Sequence, residues 1–151
     1  MGRSVGRVPV QVVLDTNVFI SALLKPFSKA ADVLRLVLSN QVRLLYDGRI
    51  LTEYREVALR PTFGFDPDRV RILLDVFAYD GLSVETTPLA APLPDPDDKP
   101  FLQVALAGGA HASLVTGHLR HFPPELRQGC LGLSPREWVD GWMASDSSVT
   151  F

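Results

Sequence analysis

The apolar pattern of this chain changes period once near its start. Val10 to Leu14 is a short β-branched, apolar run that ends at Asp15-Thr16-Asn17, after which Val18 to Leu24 carries apolar residues at helical spacing. A strand that hands over to a helix puts Asp15 at the strand's carboxyl end, beside a helix N-terminus. In open α/β sheets, ligands and reactive groups gather at that edge. The plain alternative is that Asp15 or Thr16 caps the helix, because Asp, Thr and Asn are all ordinary caps.

The same reading predicts the remaining elements. The first helix stops near Pro26, and Ala30, Val33, Leu34, Val37 and Leu38 mark the face of a second, capped by Ser28. Arg43 to Tyr46 reads as a second strand, and Thr52 to Leu59 as a helix ended before Pro61. Asp66-Pro67 opens a helix with Val70, Leu73, Leu74 and Phe77 on one face, Pro67 taking the first helical position after an Asp cap. Leu82 to Val84 reads as a short strand, and Pro88 to Pro96 as an irregular approach to Asp97-Asp98. A helix over Asp98 to Ala107 closes at Gly108-Gly109. Ala112 to Val115 is a buried strand ending at Thr116-Gly117-His118, Leu131 to Leu133 an edge strand, and Ser134-Pro135-Arg136-Glu137 the start of a last helix. Short apolar strands alternating with helices predict a parallel α/β sheet.

Composition narrows the class. The 151 residues are 46 % hydrophobic and 21 % charged, the balance of a soluble globular domain. One domain is expected over residues 10–144, between a flexible N-terminus (1–9) and a flexible tail (145–151). No apolar run reaches the roughly 18 residues of a membrane span, and no export signal is read. The single Cys130 excludes an intramolecular disulfide framework and fits a reducing compartment, so a cytoplasmic location is expected. A net charge of −2 provides no global positive field for nucleic acid. A polyanion partner would need a local basic surface.

Three acids end up where the expected fold can gather them. Asp15 ends the first strand, Glu53 falls in the first turn of the helix after the second strand, and Asp98 in the first turn of the helix preceding Thr116. An acid at a helix N-terminus gains about 0.3–1 kcal/mol from the dipole, which explains Glu53 or Asp98 taken singly. Several carboxylates in one crevice are another matter, since they repel and raise each other's pKa values. A hard divalent cation, Mg²⁺ or Mn²⁺, resolves that conflict.

The elements Leu14-Asp15-Thr16-Asn17-Val18, Leu51-Thr52-Glu53-Tyr54-Arg55-Glu56-Val57, Asp95-Pro96-Asp97-Asp98 through Phe101-Leu102 to Ala105, and Val115-Thr116-Gly117 together resemble PIN-domain ribonucleases. The branch they are most similar to comprises the bacterial toxin components of toxin–antitoxin systems, and the resemblance runs from Val10 to about Trp142. It implies a three-layer α/β sandwich with a central parallel sheet of four to five strands flanked by helices. It also implies a metal-dependent endoribonuclease cutting single-stranded RNA, with Asp15, Glu53 and Asp98 as catalytic metal ligands for Mg²⁺ or Mn²⁺. Asn17 would hold Asp15 or a metal-bound water, and Thr116 would orient a ligand from behind. Asp98 fits the family spacing better than Asp97, which is left as a helix cap. Glu56 is read as solvated or paired with Arg60. A small antitoxin protein and a homodimer are the partners implied beside RNA, and no membrane.

One position departs from the family. Many PIN domains carry a fourth acid two residues after the hydroxyl residue, where this chain has His118. A neutral imidazole supplies no negative charge, though it can ligate Mn²⁺ or touch a phosphate, so a second metal site is in question. Without Cys partners or an HExxH pattern, His111, His118 and His121 do not make a zinc site. His118 is placed near the centre and His121 in a surface turn. Arg55, Lys99 and Arg120 are the candidates for RNA contact. The alternative function is a PIN fold with little or no catalysis that binds RNA or protein. A phosphoryl-accepting receiver domain and a haloacid-dehalogenase-type phosphatase both lack their acid pairs here.

Overall fold

The computed structural model describes residues 10–148. The N-terminal segment expected to be flexible lies outside them, as do residues 149–151. Among the described residues, no helix is long and apolar enough to cross a membrane.

Five strands form one sheet in the order β3-β2-β1-β4-β5, where β1 is Gln11–Leu14, β2 Arg43–Tyr46, β3 Leu82–Ser83, β4 Ala112–Val115 and β5 Leu131–Leu133. Every pairing is parallel. Among the described residues, six α-helices connect and cover the sheet: α1 Thr16–Leu24, α2 Lys29–Leu38, α3 Gly48–Ala58, α4 Pro67–Asp80, α5 Lys99–Gly108 and α6 Pro135–Ser148. The expected tail from residue 145 thus begins inside α6. The central strand β1 is almost entirely apolar, with Val12, Val13 and Leu14 fully buried, as a strand covered on both faces must be.

The chain first winds outward from β1 to β2 and β3, then crosses back to place β4 on β1's other side. The sheet therefore has its topological switch between β1 and β4, where parallel α/β sheets open a crevice at their carboxyl ends. Leu14 pairs with Val115 in register. The ladder continues one step further, because Asp15 N donates to Val115 O at 3.0 Å and Thr116 N to Leu133 O at 3.0 Å. Asp15 and Thr116 consequently leave adjacent strand ends side by side.

The caps show why the helices start where they do. Ser28 accepts from Ala31 N at 3.1 Å, and Asp66 from Asp68 N at 3.0 Å with Pro67 next in the first turn, as the sequence predicts. Ser134 and Glu137 bond reciprocally, each side chain accepting from the other's backbone amide at 3.1 and 2.9 Å, a capping box for α6. The start of α3 differs from expectation. Asp47 accepts from Arg49 N and Ile50 N at 3.0 and 3.2 Å, which launches the helix at Gly48 rather than Thr52. Glu53 therefore lies in the second turn, where the dipole advantage of a helix end has faded.

An aromatic triad supports the floor of the crevice. The rings of Phe19, Tyr54 and Phe77 lie 4.7, 5.6 and 6.0 Å apart by centroid, in tilted and edge contacts of the favoured kind. The Tyr54 hydroxyl donates to Leu14 O at 2.6 Å, tying α3 to the end of β1 one residue before Asp15.

Candidate metal centre

Asp15 occupies the N-cap position of α1 but makes no side-chain cap bond. Its carboxylate turns instead toward β4, where Thr116 Oγ1 donates to Oδ2 at 2.7 Å. Asn17 Nδ2 donates to the same oxygen at 3.3 Å, while Asn17 Oδ1 accepts from Gly117 N at 3.3 Å. The capping explanation of Asp15 is thereby set aside. Thr116 is wholly buried and Asp15 is 5 % exposed. Burial pushes the Asp15 carboxyl above its ordinary pKa, with the Thr116 bond acting in the opposite direction.

Glu53 reaches the crevice from α3, and the Thr16 hydroxyl donates to its Oε2. Its pKa is raised by burial, lowered by the Thr16 bond, and raised again by the negative charge of Asp15. Asp98 enters from the opposite side, at the junction of a 3₁₀ turn (Pro96–Asp98) with α5. Burial and the charges of Asp15 and Asp95 lift its pKa to about 6. Its Oδ2 is shut off from solvent and accepts no well-formed hydrogen bond; the imidazole Nδ1 of His121 lies 3.2 Å away.

All three acids line one cleft of about 590 Å³, together with Asn17, Glu56, Asp95, Asp97, His118 and His121. Among the described residues, however, the donors that converge within 4.8 Å of one another are those of Asp95, Asp98 and His121, a set that includes only one of the three expected ligands. Asp97 is not the cap predicted for it. Asp95 caps the 3₁₀ turn, accepting from Asp97 N at 2.9 Å, Asp98 holds the N-cap position of α5 without a side-chain cap bond, and Asp97 borders the cleft. His121 is not confined to a surface turn either. Its ring stacks on His118 with centroids 5.1 Å apart, which brings it to Asp98. Glu56 forms no ion pair with Arg60 among the described residues.

Arg55 lines a separate groove between α3 and α4, and neither Lys99 nor Arg120 is among the residues lining the acidic cleft. The arginine that does border it is Arg60.

The donor set fits a hard divalent cation. Buried carboxylates that raise one another's pKa, and a buried carboxylate oxygen without a hydrogen bond, are what such an ion would neutralise and satisfy. The imidazole of His121 adds a nitrogen donor suited to the borderline metals.

A parallel α/β sheet with a sheltered carboxylate cluster at its topological switch defines an acidic-cleft domain able to hold a divalent metal. The chain matches the PIN domain family over residues 11–119, well over half its length, and belongs to that family. PIN domains are generally nucleases that use divalent metal ions. No curated protein matches the chain.

Proposed function

We propose that this chain is an endoribonuclease that cuts single-stranded RNA with Mg²⁺ or Mn²⁺, and that it is the toxin of a toxin–antitoxin pair. The observation that carries the reading is the buried Asp15 carboxylate, fixed by Thr116 from the neighbouring strand and sharing one cleft with Glu53 and Asp98. Those three acids would hold the cation, with Asp95 and His121 as further donors beside Asp98. A bound cation would supply a lowered pKa for water and charge stabilisation at a phosphodiester.

The chain's own residues prepare the site. Thr116 and Asn17 orient Asp15, and Thr16 orients Glu53. Partners that hold a ligand from behind are commonly worth 10- to 100-fold in metal affinity or activity. His121 lies against Asp98, its Nδ1 3.2 Å from Oδ2. A small antitoxin would silence the site by placing an Arg or Lys among the acids, and a homodimer through the exposed faces of the early helices belongs to the same reading.

Induced expression in a bacterial host tests the whole proposal. Wild type should arrest growth and leave new 5′ ends in cellular RNA, and Asp15→Asn should do neither. Equal arrest by both proteins opposes it.

A further inference from the structure

The cleft is much larger than an ion and its ligands require. Its volume of about 590 Å³ falls in the range of pockets that enclose a whole ligand group, about 300–1,000 Å³. Besides its acids and histidines, the cleft is lined by Ile20, Val57, Phe63 and Arg60. Phe63 is only partly buried. It lies nearly parallel to Phe65, with centroids 5.6 Å apart and planes 13° apart, and Phe65 lines a different groove beside Leu23 and Val70. The α3–α4 connection that carries them is a fixed turn: Phe63 N donates to Arg60 O at 3.1 Å, Gly64 N to Pro61 O at 3.2 Å, and Gly64 has a φ of +67° that side chains disfavour. Arg60 is exposed and joins no ion pair among the described residues.

We propose that Phe63, backed by Phe65 and flanked by Ile20, Val57 and Arg60, is a stacking subsite for one unpaired nucleobase beside the acidic centre. The inference rests on the nuclease reading of the same cleft and names what its aromatic and aliphatic lining recognises. A bare phosphate is repelled by the acids, whereas a neutral, flat base gains stacking and dispersion against an aromatic wall. Base–aromatic stacking of this kind is sequence-tolerant. Arg60 stands where it can meet the phosphate that follows the stacked base. The ordinary role for Phe63 is to pack the connection onto the core, which it also touches. The two roles separate because a leucine can fill space but cannot stack.

The test is fluorescence anisotropy with the full chain and a labelled eight-nucleotide oligouridine. Ca²⁺ is the cation, being larger and less polarising than Mg²⁺. The same oligomer with its central residues made abasic, and DNA versions of both, complete the set. Wild type should bind intact bases about 5- to 100-fold more tightly than abasic ones, the range that stacking supplies. Phe63→Leu should reduce the preference to within about twofold, and Phe63→Tyr should keep it. A preference in the RNA arm, the DNA arm or both supports the subsite and states the sugar it accepts. Its absence in wild type, or its persistence in Phe63→Leu, overturns the subsite. Cleavage assayed in parallel keeps the two claims apart. Cutting without a Phe63-dependent preference refutes only the subsite, and the preference without cutting refutes only the nuclease.

Discussion

The Thr116 hydroxyl donates a 2.7 Å hydrogen bond to Asp15 Oδ2 across a sequence separation of 101 residues, and the same hydroxyl oxygen accepts from His118 N at 3.0 Å. One side chain thus fixes the buried acid at the end of β1 and the start of the loop that carries both cleft histidines. Thr116→Val preserves the shape and removes both bonds. We expect Mn²⁺ affinity, read by calorimetry, to fall about 10- to 100-fold, with a stability loss of about 1–3 kcal/mol for the poorly satisfied carboxylate. Thr116→Ser should restore both. An unchanged affinity in Thr116→Val would remove Thr116 from the metal centre.

The acids are held against their own repulsion, which makes function costly to the metal-free fold. Asp15→Asn removes a desolvated charge from the cluster. In EDTA at pH 7.5, the variant should melt above wild type by about 2–4 °C for each kcal/mol relieved in a domain of this size. A lower melting temperature would mean that Asp15 stabilises the fold and that the site is not strained by charge.

Acidity should affect metal-free stability in a definite direction. The Asp98 pKa is raised in the fold from 3.8 to about 6, so the folded state binds the proton more tightly than the unfolded one. The corresponding stability is fully present below about pH 4 and is lost as the pH rises through about 6; Asp15 and Glu53, also raised, act in the same sense. Between pH 4.5 and 7.5 in EDTA, these groups should lower the melting temperature. Millimolar Mn²⁺ should recover it at pH 7.5 but hardly at pH 4.5, where protons compete for the carboxylates. A metal-induced shift of equal size at both pH values would contradict this.

Much of this architecture is legible in local signals, and the reason is physical. The period change at Asp15, the Ser28 and Asp66 caps and the Ser134–Glu137 box are each set by residues within a few positions of one another. The start of α3 is not legible locally, because Asp47-Gly48 is also good turn chemistry and only the observed cap bonds decide between the two. Asp15, Glu53 and Asp98 are all legible from the alternation of strands and helices, while the choice of Asp98 over Asp97 comes from the family resemblance. Asp95 had a usable signal, since Asp95-Pro96 repeats the Asp-Pro pattern that opens α4 at Asp66-Pro67. His121 had none. It reaches Asp98 because the loop after β4 folds back across the start of α5, a tertiary event that no local spacing encodes. The neighbourhood of Arg60 and Phe63 was likewise hidden, since it depends on how the α3–α4 turn packs beside α1.

Tyr54 makes the link between core and site testable. Its ring is fully buried in the aromatic triad and its hydroxyl donates to Leu14 O, leaving that carbonyl unsatisfied if the hydroxyl is removed. Tyr54→Phe should cost about 1–3 kcal/mol in urea unfolding and lower activity through the displaced Asp15. Wild-type stability in this variant would show that the bond holds nothing in place.

The most direct test of the central claim is cleavage of an end-labelled, mixed-sequence single-stranded RNA pool by purified protein. Wild type and Asp15→Asn are compared in Mg²⁺, Mn²⁺ and EDTA. Cuts that require the metal and vanish in Asp15→Asn are the expected result. Cuts that persist in EDTA or in Asp15→Asn, or no cuts with either metal, would contradict the account and leave a PIN fold that binds its target without cutting it.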